Sequence, residues 1–330
     1  YANQAREDAV TERLRRHTRH WRSIIGLSDE AAAKLVRDDA IDILVDLSGH
    51  TRNHRLGLFA SKPAPLQASW LGYFATTGLE AMDYILADRH VVPPGEEPLY
   101  SEKVLRLPDS YLCFSPPAFD IPVGPLPATA SGGITFGCFN SLAKLTPEVV
   151  RLWAEILKAV PESRLLLKTR FLDRAQARDR YARLFAEQGV EEARLIFEGT
   201  SPRQALLERY DSVDIALDPF PFNGGTTSAE ALWMGVPVVA LGADRFAGRV
   251  GESILTTVGL SRLVARGEAD YRALAVELAS DLDALSKLRG ELRGRLLASP
   301  LCDGPAFTRG LESAYRNIWH DWCLGRGDGS

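Results

Sequence analysis

The segment "DIALDPFPFNGGTTSAEALWMGVPVVAL" (residues 214–241) decides the fold class of this 330-residue chain. Its pattern predicts a short buried strand, a loop rich in glycine and threonine, a helix and a second buried strand. Parallel strands need a crossover connection, and a helix is the usual one. The segment therefore predicts one βαβ unit of a parallel sheet.

The same alternation continues upstream of this segment. Strands are predicted at "ITFGCF" (134–139), "RLLLKT" (164–169) and "RLIFEG" (194–199), with helices between them. The helix that follows the first of these has Thr146 as its N-cap and Pro147 at its first helical position. Strands that alternate with helices predict an α/β fold with a doubly wound parallel sheet, covered by helices on both faces.

The N-terminal part predicts a second strand-containing region. Helical segments are predicted at residues 7–26 and 28–40, the second capped by Ser28. Strands are then predicted in "AIDILVDLSG", "LQASWLGY", "MDYILAD" and "VLRLP". A stretch rich in proline, glycine and alanine follows and has no period, which predicts a linker. We therefore expect a partial N-terminal lobe (1–118), a linker (119–133), a C-terminal lobe (134–303) and a final helix with a tail (304–330).

Composition limits the possible functions. The net charge of −4 gives no electrostatic reason to expect a nucleic acid or an anionic membrane as partner. The sequence has neither an apolar run near the ~18 residues of a membrane span nor a signal peptide. Four cysteines without Cys-x-x-Cys spacing predict buried free thiols in a reducing cytoplasm. The sequence has no cluster of His, Cys, Asp and Glu residues with the spacing of metal ligands, so no metal site is predicted.

The loop of the opening segment has the composition of an anion site. Ligands of doubly wound sheets bind beyond the carboxyl ends of the strands, where this loop lies. Gly224 and Gly225 allow close backbone approach, Thr226 and Thr227 add hydroxyls, and the helix start adds free N–H groups. Glu230 could accept hydrogen bonds from a ribose. Taken alone, this loop is consistent with a nucleotide diphosphate site or with a simple glycine-rich connection.

A second loop favours the nucleotide interpretation. "FNSLAKLTP" (139–147) follows the first strand of the same lobe, so this loop would lie at the same edge of the sheet. Its Lys144 could neutralise a phosphate there. An exposed loop lysine is the alternative, and Arg209 is a further cation that could equally be solvated. Neither a Walker loop nor a G-x-G-x-x-G fingerprint occurs, which argues against an ATPase or a nicotinamide enzyme.

Several motifs together resemble one family. They are "FNSLAKLTPEVVRLWAEILKAVP", "NGGTTSAEALWMGVPVV", "KPAPLQASWLGY" and "SPLCDGPAFTRGLESAYRNIW". They are similar to the catalytic region of the O-GlcNAc transferase/SPINDLY family, glycosyltransferase family 41, from about Ala40 to Trp319. "DLSGHT" and "GLESAYRNIW" resemble the SPINDLY branch more than the animal O-GlcNAc transferases.

The resemblance implies a GT-B fold: two Rossmann-like lobes facing one cleft, with the final helix crossing back to the first lobe. It implies inverting transfer of a sugar, without a metal or other cofactor, onto Ser or Thr of a protein acceptor. The donor would be UDP-GlcNAc, or GDP-fucose in a protein O-fucosyltransferase. A non-catalytic nucleotide-sugar-binding scaffold and another GT-B activity, such as an epimerase or a transferase to lipid or glycan, remain alternatives.

The resemblance also assigns roles to residues. Lys144, which would stabilise the leaving diphosphate, and His50 are the catalytic candidates. The donor-binding candidates are Ser141, Arg203, Arg209, Asn223, Gly224, Gly225, Thr226, Thr227 and Glu230. The candidates for the sugar and acceptor side are Arg52, Leu71, Gly72 and Phe74.

The sequence departs from the family pattern in two respects. Gly225 and Leu206 stand where the animal enzymes have histidines, which leaves the choice between uracil and guanine open. The family's first strand with its His-Pro loop, and its tetratricopeptide repeats, have no counterpart here. We therefore expect the N-terminal lobe to be incomplete.

Overall fold

The computed structural model describes residues 1–327, so the end of the predicted tail, residues 328–330, lies outside the described residues. The chain divides into two compact units. The first contains residues 1–87, 94–107 and 311 onward, and the second contains residues 88–93 and 108–310.

The first unit is built on a parallel sheet of four strands in the order β1-β2-β3-β4. The strands are β1 (Ile43–Asp46), β2 (Leu66–Ser69), β3 (Tyr84–Ala87) and β4 (Lys103–Arg106), as the sequence predicted. Its helices α1 (Ala9–Arg16), α2 (Asp29–Asp38) and α3 (Leu56–Ala60) precede or connect the first strands. The hydroxyl of Ser28 accepts the Ala31 N–H at 3.2 Å, which confirms it as the N-cap of α2.

Helix α1 is shorter than the helix-forming composition of residues 7–26 suggests. It ends at Arg16, and the chain then runs back beside the N-terminus. There the N–H of Ala2 donates to the carbonyl of Arg22 at 2.7 Å, and the N–H of Ile24 donates to the carbonyl of Ala2 at 2.9 Å. This bridge satisfies backbone groups that a longer helix would have used.

The second unit contains a parallel sheet of six strands in the order β10-β9-β8-β5-β6-β7. The strands are β5 (Thr135–Cys138), β6 (Arg164–Lys168), β7 (Leu195–Glu198), β8 (Ile215–Leu217), β9 (Val238–Leu241) and β10 (Val264–Ala265). The helices are α4 (Ala128–Ser131), α5 (Pro147–Ala159), α6 (Ala175–Glu187), α7 (Arg203–Glu208), α8 (Thr226–Trp233), α9 (Val250–Thr257), α10 (Glu268–Ser280) and α11 (Leu282–Leu297). The α/β alternation is confirmed, and Thr146 caps α5 by accepting the Val149 N–H at 3.4 Å.

The core of this unit explains why its strands show continuous apolar runs. Helices cover the sheet, and Phe136, Leu165 and Ile215 on its strands are fully buried. Trp153 of α5 is also fully buried, and its ring N–H donates to the hydroxyl of Tyr271 at 3.2 Å. The packing fixes the strand ends on which the two loops of interest stand.

The predicted linker at residues 119–133 is instead an ordered part of the second unit. Ile121 and Leu126 are buried, and residues 128–131 form α4. Backbone groups of the segment bind distant side chains: the N–H of Ala128 donates to Asp214 at 2.9 Å. Individual contacts of this kind hold the segment in place, and it does not pack through one face of a helix or strand. Its apolar residues therefore show no helical or strand periodicity.

The last helix, α12 (Gly304–Gly327), contributes to both units, since its residues from Leu311 onward are grouped with the first. The boundary between the units at this end of the chain therefore lies inside a helix. Across residues 1–327, no helix combines the length and apolar character needed to cross a membrane.

Candidate functional site

The second sheet has one topological switch point, between β5 and β8. From β5 the chain proceeds outward through β6 and β7, and from β8 it proceeds the other way through β9 and β10. In open α/β sheets this is where the loops at the carboxyl ends of the strands leave a crevice for ligands. The two loops there are residues 139–146 and 218–225, the two that the sequence had singled out.

Lys144 connects the two loops. Its ammonium donates to the carbonyl oxygen of Asn223 at 2.6 Å and to the side-chain oxygen of Asn140 at 3.2 Å. It also lies 3.9 Å from the ring centroid of Phe222. All three partners are uncharged, so the positive charge is held in place without being neutralised. Burial lowers the pKa of Lys144, and the carboxylate of Asp218 opposes that shift.

Asn140 brings Lys144 and Thr227 together. Its side-chain oxygen accepts the hydroxyl of Thr227 at 3.1 Å as well as the Lys144 ammonium. Sequence reasoning did not identify Asn140, although its position two residues after β5 was a signal that it would stand at the ligand edge. Lys144 and Thr227 are more than 80 residues apart in sequence, and in the structure both donate to the same side-chain oxygen of Asn140.

The glycine loop is shaped by Asp218, which follows β8. The N–H of Gly224 donates to Asp218 Oδ1 at 2.7 Å, and a Cβ on Gly224 would lie 2.4 Å from the hydroxyl oxygen of Ser228. This close approach requires glycine at position 224. Gly225 then forms the N-cap of α8 without a side-chain cap, and Thr226 is exposed as its first residue. The N-terminus of α8 thus offers N–H groups and a favourable dipole to an anion.

Asn223 is almost fully buried and supports the loop. Its amide donates to the carbonyl of Pro219 at 3.0 Å, and its side-chain oxygen accepts the N–H of Gly251 at 3.3 Å. Its backbone N–H donates to the carbonyl of Ala247 at 3.0 Å. The backbone carbonyl of Asn223 therefore binds Lys144, while its side chain stabilises the loop.

Asp218 is the second residue that sequence reasoning missed. It is 2 % exposed, and burial raises its pKa to about 6, against the lowering effect of Lys144. Its Oδ2 oxygen is buried without a hydrogen-bond partner. A cavity of about 10 Å³, enough for one water molecule, lies among Asp218, Asn140, Thr227 and their neighbours.

Ion pairs hold three of the remaining donor-side candidates, Arg203, Arg209 and Glu230. Glu230 is 2 % exposed and pairs with Arg203 at 2.5 Å; burial raises its pKa, and Arg203 opposes this shift. Arg209 pairs with Glu198 at 2.7 Å, and Lys168 approaches the same carboxylate at 3.3 Å. Arg203 thus contacts another donor-side candidate, Glu230, whereas Arg209 is paired with a carboxylate at the end of β7. Ser141 is exposed next to Lys144, and its carbonyl accepts the Lys144 N–H.

The sugar- and acceptor-side candidates all belong to the first unit, in the loops after β1 and β2. The ring of His50 lies 2.8 Å from the carbonyl oxygen of Thr77 and edge-on to Tyr73. Leu71 adopts a left-handed backbone with φ +70°, and a Cβ on Gly72 would lie 1.8 Å from the Leu47 carbonyl. Arg52 is exposed and Phe74 is half-buried. Over residues 1–327 no three His, Cys, Asp or Glu side chains are grouped as metal ligands.

The four cysteines are free, but the prediction that they are buried is wrong for two of them. Cys113 and Cys323 are exposed, whereas Cys138 is buried and Cys302 is half-buried.

Comparisons with known proteins agree on one family. The sequence model of glycosyl transferase family 41 matches residues 7–115 and 126–311. The chain is 47% identical over 306 residues to the probable UDP-N-acetylglucosamine–peptide N-acetylglucosaminyltransferase SPINDLY of rice, covering 92% of this chain. It is 45% identical over 334 residues to the Arabidopsis thaliana protein of the same name, covering 98% of this chain.

A solved structure is similar over nearly the whole chain. The O-GlcNAc transferase of Thermobaculum terrenum superposes with a TM-score of 0.93 at 44% identity, covering 99% of this chain and 62% of that one. The present chain spans 33% of the length of the rice relative and 36% of the Arabidopsis relative. It thus corresponds to about a third of those longer proteins.

Proposed function

The chain belongs to glycosyltransferase family 41 and has its GT-B fold, and we propose that it transfers a sugar from a nucleotide diphosphate to Ser or Thr of proteins. The names of its SPINDLY and O-GlcNAc transferase relatives support GlcNAc as the sugar and UDP-GlcNAc as the donor. The predicted resemblance to the SPINDLY branch is confirmed by these relatives.

The observation that carries this proposal is that the groups in direct contact with Lys144 are uncharged: the Asn223 carbonyl, the Asn140 amide and the Phe222 ring. When the sugar leaves the donor, negative charge builds on the diphosphate, and a catalyst must stabilise that charge. Lys144 supplies a positive charge beside the N-terminus of α8 and the hydroxyl of Thr227. We propose that this group of residues takes the place of a metal ion, with no further cofactor.

The other donor-side residues have supporting roles in the proposal. Gly225, Thr226 and Thr227 would bind the diphosphate through backbone N–H groups, and Thr226 also through its hydroxyl. Gly224, whose N–H donates to Asp218, would allow the loop to approach the diphosphate closely. Glu230, oriented by Arg203, would accept a hydrogen bond from the ribose. Ser141, Arg209 and Asn223 would complete the donor side, Asn223 through the carbonyl that holds Lys144.

We propose that the first unit contributes to the sugar and acceptor side, through His50, Arg52, Leu71, Gly72 and Phe74. The acceptor hydroxyl attacks the anomeric carbon, the bond from that carbon to the diphosphate oxygen breaks, and the electron pair leaves with the diphosphate. The hydroxyl proton passes to the solvent in the same step, and the single displacement inverts the anomeric centre.

The test is transfer from a labelled donor to a mixture of Ser/Thr peptides. We expect radiolabelled UDP-GlcNAc to give labelled peptide in the presence of EDTA, and Lys144→Met to lower the rate of labelling on the order of a hundredfold or more. Binding of UDP-GlcNAc without any peptide labelling would contradict transfer and support a scaffold. Labelling from GDP-fucose alone would contradict the proposed donor, and loss of labelling on adding EDTA would contradict the metal-independent mechanism.

A further inference from the structure

We propose that Asp218 is a positioning residue for the transfer reaction: it orients Asn140 and the glycine loop, and supports the positive charge of Lys144 from behind. The catalytic part of this inference rests on the proposed function. Asp218 itself acts through these neighbours and does not bind substrate.

The first argument is geometric. Asp218 Oδ1 accepts the Gly224 N–H at 2.7 Å and lies 3.5 Å from the amide nitrogen of Asn140. An asparagine side chain has a donor end and an acceptor end, so a carboxylate facing the donor end fixes its orientation. The acceptor end of Asn140 is thereby directed at Lys144 and Thr227. One carboxylate thus orders the lysine, the threonine and the loop.

The second argument is electrostatic. A partly buried ammonium tends to lose its proton unless a negative charge stabilises it. A carboxylate in direct contact with Lys144 would supply that charge, but it would also compete with the diphosphate for the ammonium. Asp218 instead faces the far side of Asn140, so its field reaches Lys144 through an uncharged amide. The lysine therefore stays charged and available.

The third argument is that burial of this carboxylate is energetically unfavourable. Asp218 is 2 % exposed, and its Oδ2 has no hydrogen-bond partner, which is unfavourable for a buried charge. Two glycine backbones approach the carboxylate closely: a Cβ added to Gly224 would lie 2.7 Å from Oδ1, and one added to Gly251 would lie 2.8 Å from Oδ2. A buried group kept ionisable and fixed in this way is typical of functional sites.

The test is Asp218→Asn in the full chain, which keeps an acceptor for the Gly224 N–H and removes the charge. Lysine labelled with ¹³C at Cε reports the titration of Lys144 in the absence of substrate, and Lys144→Arg assigns its signal. We expect the titration midpoint of Lys144 to fall by about one pH unit in Asp218→Asn. We also expect kcat to fall roughly tenfold or more, with the alkaline limb of the pH profile moved to lower pH and the KM for donor little changed.

Asp214→Asn is the matched control. Asp214 is also fully buried, at the opposite end of β8, where it accepts the N–H groups of Ala128 and Thr135. We expect it to alter the unfolding transition but not the Lys144 titration. A second variant, Asn140→Asp, places a carboxylate directly against Lys144 and should raise the midpoint while weakening donor binding.

The outcomes separate this inference from the proposed function. An unchanged Lys144 titration in Asp218→Asn, or the same shift in Asp214→Asn, would overturn the electrostatic role. An active Asp218→Asn enzyme with wild-type kcat would overturn the positioning role. If the wild-type chain transfers no sugar from any donor but the titration shifts as expected, the proposed function fails and the effect of Asp218 on Lys144 stands.

Discussion

The ammonium nitrogen of Lys144 lies 2.6 Å from the carbonyl oxygen of Asn223, a residue 79 positions away in sequence. This contact joins the loop after β5 to the loop after β8, across the switch point of the sheet. The same side chain thus closes the rim of the crevice and carries its positive charge. Lys144 therefore contributes both a positive charge and a contact between the two loops, while Asp218 and the Asn223 side chain hold the glycine loop independently of it.

Lys144→Met should lower kcat on the order of a hundredfold or more, because it removes charge stabilisation from the departing diphosphate. Donor affinity should change far less, since the glycine loop and the N-terminus of α8 remain. Steady-state kinetics and calorimetric titration with UDP measure the two effects. Lys158→Met, which loses only an exposed hydrogen bond to the Gln188 carbonyl, is the control. Equal losses in kcat and in affinity would contradict the assigned role.

Asp218→Asn should stabilise the fold at high pH, although it impairs activity. The folded-state pKa of Asp218, about 6, is above the ordinary value of 3.8, so the folded chain binds this proton more tightly than the unfolded chain does. Its stabilising contribution is complete below about pH 3.8 and is lost as the pH rises through 6. At pH 8 the variant should therefore be more stable by on the order of 3 kcal/mol, and near pH 4 by almost nothing. Urea unfolding at both pH values measures this, and a difference independent of pH would contradict it.

Gly251→Ala should destabilise the second unit by about 1–3 kcal/mol, because the added methyl group would overlap Asp218 Oδ2 and the Cβ of Ala240, at 2.8 and 2.9 Å. Gly290→Ala is the same change inside α11, where the added atom meets nothing within 4 Å. That variant should gain up to about 1 kcal/mol from helix propensity. Opposite shifts of the thermal midpoint are expected, and shifts of the same sign would contradict the argument from close packing.

Sequence patterns predicted what depends on local periodicity. The strand and helix alternation, the N-caps Ser28 and Thr146, and the two loops at one sheet edge follow from the spacing of apolar residues and from helix-start signals. The roles of Asn140 and Asp218 could not be predicted in this way. Their contacts with Lys144, Gly224 and each other exist only once β5 and β8 are neighbours in the sheet.

The segment at residues 119–133 shows the same limit. Its proline- and glycine-rich composition resembles a flexible linker, but side chains of α11 hold its backbone. The guanidinium of Arg289 donates to the Gly124 carbonyl at 2.9 Å, and that of Arg293 donates to the Ile121 carbonyl at 2.7 Å. The residues in each of these contacts are more than 160 positions apart. No local sequence pattern could therefore predict the contacts.

Arg289→Met should therefore release this segment. Arg289 is 2 % exposed and also donates to the Val213 carbonyl at 2.8 Å, so the substitution removes this donor from one buried and one partly buried carbonyl group. Loss of such a buried network costs about 3 kcal/mol or more. Arg295→Met, which breaks only an exposed pair with Glu291, should cost under about 1 kcal/mol. Chemical unfolding compares the two variants, and limited proteolysis should cut Arg289→Met within residues 119–133. Equal stability losses, or cleavage elsewhere first, would show that Arg289 does not hold the segment.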